Sequence, residues 1–219
     1  MVQGPLKNLR YDALVFDFDG VLVDSEEIKV DAFASLYSED GPEIVQKVVE
    51  YHRANFGVSR LLKFKYFEET LLRRRYTPEA GRSLARRFSE MVEEKVVEAP
   101  WVPGAREFLE SYGKVLPLYV ASGTPDEEIR RITAKRGILH FFKAVYGSPP
   151  GKAELLERIV REGVFRRERV LMIGDARADY EGARKAGVSF LGCSRGGDSL
   201  PAPTIADLTS LEKKLFEKT

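Results

Sequence analysis

The stretch Ala13-Leu14-Val15-Phe16-Asp17-Phe18-Asp19-Gly20 sets two carboxylates at the end of an uninterrupted apolar run. Such a run reads as a strand buried on both faces, the kind found inside a parallel sheet. Residues two apart in an extended chain share a side, so Asp17 and Asp19 face the same way. Like charges that close repel, and neither carboxylate suits an apolar core. The fold must bring something to this strand end that compensates them.

Short runs rich in β-branched and aromatic residues recur at 14–16, 116–120, 144–146, 170–173, 190–191 and 204–206. Amphipathic helical patterns separate most of them, and strand–helix alternation predicts a doubly wound parallel α/β sheet. One helix is expected to open at Thr124-Pro125, with Thr124 as its cap, Asp126, Glu127 and Glu128 in its first turn and Gly137 past its end. Residues 24–99 break the rhythm. They carry helical patterns without a convincing strand, one of them starting at Thr77-Pro78. They therefore read as an inserted α-helical domain, with 1–23 and 100–219 forming the α/β core.

The chain has 219 residues, 43% of them hydrophobic, enough for a core domain carrying a smaller one. Its 35 Lys and Arg nearly cancel its 34 Asp and Glu, so no basic excess calls for nucleic acid. The single cysteine, Cys193, excludes an internal disulfide framework and fits a reducing compartment. No long apolar leader or spanning segment is legible, and a cytoplasmic protein without membrane partners is expected.

Ligands of an open parallel sheet bind beyond the carboxyl ends of its strands. Asp17 and Asp19 follow the first strand, Ser122-Gly123-Thr124 the second, and Lys152 opens a helix after the third. Asp175 and Asp179 follow the fourth. Four carboxylates at neighbouring strand ends call for a cation, and oxygen donors without histidine or cysteine point to Mg2+. Lys152 in a first helical turn opposes the helix dipole, which suits an anion bound beside it. Metal, lysine, hydroxyl and amide donors around one point describe a phosphate site.

These four segments, in this order, resemble the four motifs of the haloacid dehalogenase (HAD) superfamily, in particular its phosphoglycolate phosphatase and β-phosphoglucomutase-like members with a helical cap after the first motif. The resemblance covers nearly the whole chain. It implies Asp17 as nucleophile, Asp19 as general acid and base, and Mg2+ held by Asp17, Asp175 and the Asp19 backbone carbonyl. It further implies Ser122, Gly123 and Lys152 on the phosphoryl oxygens, and Asp179 orienting a metal-bound water or holding Lys152. The implied activity is phosphatase action on a small phosphorylated metabolite, by a monomer or homodimer. Dehalogenases similar in fold do not need a second aspartate, so Asp19 argues against that branch.

A phosphomutase is the alternative. Gly57-Val58-Ser59-Arg60 resembles the segment with which β-phosphoglucomutase-like proteins hold a far phosphate, which would give Arg60 that role. Those mutases carry a histidine where this chain has Lys29. His52, Asn55 and Lys63 are expected to stay clear of substrate, and Arg177 to be an exposed loop cation.

Overall fold

The computed structural model describes residues 9–194 and 200–216. Six strands form one parallel sheet: β1 (Ala13–Phe16), β2 (Leu118–Pro125), β3 (Ala144–Ser148), β4 (Val170–Gly174), β5 (Ser189–Cys193) and β6 (Thr204–Ile205). Their order is β3-β2-β1-β4-β5-β6, so β1 lies between β2 and β4. Every apolar run expected to be a strand is one. Because the sheet is parallel, all the strand-end segments emerge along the same edge, and β1 delivers its carboxylates at the middle of it.

Alternate residues of β1 pack into different layers, as a period of two requires. Ala13 and Val15 meet Leu155, Leu156 and Ile159 of α7 (Lys152–Glu162) and Ala183 and Ala186 of α8 (Arg177–Ala186). Leu14 and Phe16 join the larger cluster on the other face, with Phe108 and Leu109 of α5 (Ala105–Tyr112) and Ile129 and Ile132 of α6 (Asp126–Lys135). β1 is therefore sandwiched between helical layers, which explains its unbroken apolar sequence.

Among the described residues, the 24–99 segment holds four α-helices: α1 (Glu26–Leu36), α2 (Pro42–Ala54), α3 (Arg60–Tyr66) and α4 (Pro78–Glu98). Thr77 caps α4, its hydroxyl accepting from the Ala80 amide at 3.2 Å, with Pro78 at the first helical position. The apolar stripe on residues 61–72 is not one regular helix. After α3, on which Leu62 is exposed, it continues as a π-helical turn over Phe67–Leu71 that buries Phe67. The entering and leaving chains of this segment pair with each other, Asp24 N donating to Pro100 O and Val102 N to Leu22 O.

Aromatic rings centre these helices. Phe33 lies 4.4 Å from Phe88 and 5.7 Å from both Phe64 and Phe67, ring centre to ring centre, and all four are buried. Phe33→Ala is expected to cost about 3–5 kcal/mol, since transfer and cavity costs add where neighbours cannot collapse. Chemical denaturation would measure it, and a loss below about 1 kcal/mol would mean that this cluster is loosely packed.

Candidate active site

Asp17 emerges from β1 buried, with its Oδ1 accepting from the Phe18 amide at 2.7 Å. The same oxygen meets Lys152 Nζ at 2.8 Å, and that ammonium also reaches Asp179 Oδ1 at 2.5 Å and donates to Ala121 O at 2.7 Å. Residues 135 positions apart in sequence (17 and 152) thus share one buried contact. Lys152 is the first residue of α7, and the β3–α7 connection carries it to the strand-end edge.

One oxygen from each of Asp17, Asp175 and Asp179 lies within 4.8 Å of the others. Asp179 sits in the first turn of α8, and its Oδ2 accepts from the Ala176 amide at 3.1 Å, so it both caps the helix and holds Lys152. Gly20 makes room for this cluster. Its φ is +78°, and a methyl group there would lie 2.5 Å from Asp175 Oδ2. Glu26, from the first turn of α1, hydrogen-bonds Asp175.

Burial pushes the Asp17 carboxyl up to about 7, with Asp179 and Asp19 adding to it, despite the opposing pull of Lys152. Asp175 is raised well above the carboxylate range by burial and by Asp17 and Asp179. Burial disfavours the Lys152 ammonium, yet its two aspartates overcome that and raise its pKa. One ammonium serves three clustered carboxyls. A divalent cation fits this donor set, which is all oxygen and hard, with no histidine or cysteine among the clustered residues.

Asp19 points into a different set of partners. Ser25 Oγ donates to its Oδ1 at 2.6 Å, Lys29 Nζ is paired with its Oδ2, and Thr124 Oγ1 donates to that oxygen at 3.2 Å. Lys29 also donates to Thr124 Oγ1 at 2.9 Å. Burial alone would raise Asp19, but Lys29, Ser25 and Thr124 hold it below its ordinary value. The two carboxylates coexist because each has its own ammonium, Lys152 for Asp17 and Lys29 for Asp19.

Lys29 was not assigned to Asp19 from sequence. The signal was there: Ser25 and Lys29 are four residues apart at the start of α1 and so share a helix face. Thr124 corrects an expectation. It does not cap α6, which starts at Asp126 with Pro125 ahead of it, because β2 runs on through Pro125 and commits the Thr124 hydroxyl to Asp19 and Lys29.

Ser122 is buried, its Oγ accepting from the Thr124 amide at 3.1 Å. Gly123 lies against the α2–α3 loop, where a methyl group would come 2.5 Å from Gly57 O. Arg177 is exposed, as expected, but it opens α8 rather than lying in a loop, and it pairs with Glu181 one turn on.

Arg60 is neither a surface arginine nor free. It is buried in a two-pronged pair with Glu128 of α6, NH1 to Oε2 at 2.9 Å and NH2 to Oε1 at 2.6 Å, and NH1 also donates to Ser89 at 2.9 Å. Its guanidinium stacks 4.5 Å above the Phe88 ring. His52 and Lys63 are buried as well. Both line, with Lys29, Phe33 and Arg60, a cavity whose other wall includes Asp17, Asp19, Thr124 and Asp175. The cavity encloses about 50 Å³, room for a few water molecules.

Residues 14–193 match the family model described as haloacid dehalogenase-like hydrolase, and the chain belongs to that family. A 5'-nucleotidase of Pseudomonas aeruginosa is 27% identical over 94% of this chain and 96% of its own. A phosphorylated carbohydrates phosphatase of Thermotoga maritima is 26% identical over 81% of this chain and 82% of its own. The fold also matches a haloacid dehalogenase-like hydrolase structure from Bacteroides fragilis, with a TM-score of 0.75 at 20% identity, covering 92% of this chain and 99% of that one. Among the described residues, no helix is long and apolar enough to cross a membrane.

Proposed function

We propose that this chain is a Mg2+-dependent phosphatase that hydrolyses small phosphorylated metabolites through an aspartyl-phosphate on Asp17. The observation that carries the reading is the contact of Lys152 with Asp17 and Asp179 beside Asp175, four polar groups gathered from three strand ends. Relatives named as a nucleotidase and a phosphorylated carbohydrates phosphatase agree with it.

In this reading a carboxylate oxygen of Asp17 forms a bond to phosphorus as the ester O–P bond breaks. Asp19 delivers a proton to the leaving alkoxide. Water then attacks the same phosphorus, Asp19 removes its proton, and the Asp17–phosphorus bond breaks to free phosphate. Ser25, Lys29 and Thr124 hold the Asp19 carboxyl in one orientation for both transfers. Lys152 and amides near Ser122 and Gly123 steady the phosphoryl oxygens, a preorganised electrostatic contribution. Asp17, Asp175 and the Asp19 carbonyl would hold the Mg2+, which when bound supplies positive charge against the phosphoryl group and the clustered carboxylates.

The small cavity favours compact esters over nucleotides unless the helices of residues 24–99 move outward to admit a larger one. The phosphomutase reading gains little from Arg60, since both terminal nitrogens of its guanidinium are already held by Glu128 and Ser89. A phosphate-release screen over sugar phosphates, phosphoglycolate and nucleotides tests the proposal. Release from a compact ester is expected with Mg2+, falling to background with a chelator and returning when Mg2+ is restored. No release from any ester, or release indifferent to the chelator, would contradict it.

A further inference from the structure

Among the described residues, Lys63 is a buried cation with no carboxylate in ion-pair contact. The residue is 3% exposed, and among the described residues the one hydrogen bond its ammonium shows is with His52 Nδ1 at 2.7 Å. The nearest charges make matters worse: Lys29 and Arg60 repel it, and only Asp19 attracts it at range. Those neighbours are themselves committed, Lys29 to Asp19 and Arg60 to Glu128. Burial and these cations together push the Lys63 ammonium down to about 7. An arrangement that costs this much is unexplained by packing, because a methionine would fill the same space without the charge.

His52 completes the picture. Burial, with Lys63 and Lys29 beside it, drives its pKa down to about 2, so the ring stays neutral. When the charged Lys63 ammonium donates to Nδ1, the neutral ring carries its proton on Nε2. That Nε2 is buried and has no hydrogen-bond partner. An ammonium without a carboxylate partner and an imidazole Nε2 without a hydrogen-bond partner, among the described residues, thus stand in the wall of the cavity that also holds Asp17 and Asp19.

We propose that Lys63 and His52 form a receptor for a second anionic group, a carboxylate or phosphate at the non-reacting end of the substrate. The inference rests on the phosphatase reading for which end reacts, and it narrows the substrate class to compact esters carrying an oxyanion at both ends. A bound oxyanion supplies Lys63 with the counter-charge it lacks and gives His52 Nε2–H an acceptor. A charge-assisted pair of this kind contributes about ten- to hundredfold in affinity.

Hydrolysis-resistant phosphonates test the receptor without turnover. Calorimetric titration in Mg2+ would compare carboxyalkylphosphonates and alkane bisphosphonates with plain alkylphosphonates of equal length. Either anionic tail is expected to bind about tenfold or more tightly than the plain chain, the stronger of the two naming the natural tail. Lys63→Met should erase that preference while leaving thermal unfolding unchanged or raised, and Lys63→Arg should restore part of it. His52→Phe, which keeps the ring packing against Phe33, should weaken it independently. Equal binding of charged and plain tails by the unaltered protein, or a preference that survives Lys63→Met, would overturn the proposal. If the preference holds but no ester with the favoured tail releases phosphate, the phosphatase reading fails and the anion receptor stands.

Discussion

Asp17→Asn is expected to reduce phosphate release to background with every ester the enzyme accepts. An amide oxygen is a far weaker nucleophile than a carboxylate, and covalent catalysis leaves no parallel route through the same phosphorus. Uncatalysed phosphate-monoester hydrolysis is among the slowest reactions that enzymes accelerate, so what remains after the nucleophile is lost should be undetectable. The substitution is nearly isosteric and keeps the Phe18 amide and Lys152 contacts possible. Circular dichroism and thermal unfolding should therefore show a folded protein. Turnover within tenfold of the unaltered enzyme would mean that water attacks phosphorus directly and that Asp17 only positions the other groups.

Arg60→Ala is expected to produce a large loss of stability, about 3–5 kcal/mol, because it strands the buried Glu128 carboxylate without its partner. For a chain of this size that corresponds to a fall in Tm of about 6–20 °C. The loss has a second origin in the guanidinium stacked on Phe88. Arg60→Met combined with Glu128→Leu removes both charges together, and its Tm should lie much closer to that of the unaltered protein. The pair joins α3, between β1 and β2, to α6, which follows β2. A loss below about 1 kcal/mol in Arg60→Ala would show that the pair is open in solution.

Much of this architecture was legible in the sequence for a simple reason. Strands buried on both faces advertise themselves as unbroken apolar runs, and a parallel sheet sends its strand-end residues to one edge. Asp17, Lys152, Asp175 and Asp179 could therefore be placed together before any coordinates. The side-chain partners on the helices between β1 and β2 could not. Lys29 reaches Asp19 and Thr124, and Arg60 reaches Glu128, only because those helices fold back over the sheet, and nothing local to either residue encodes that approach. The contact of His52 with Lys63 was hidden for the same reason. A histidine and a lysine eleven positions apart on separate helices carry no local sign that packing buries both against each other. Thr124 shows the opposite failure, a local cap signal overridden by the extension of β2.

The central claim is that phosphorus becomes bonded to Asp17, and it can be examined directly. Asp19→Ala should accept a phosphoryl group from acetyl phosphate, whose leaving group needs no proton, yet be slow to release it for want of a base. Peptide mass spectrometry of the acid-quenched enzyme is expected to find that phosphoryl group on Asp17. Phosphate release with no phosphorylated peptide, or with the label on another residue, would contradict the account.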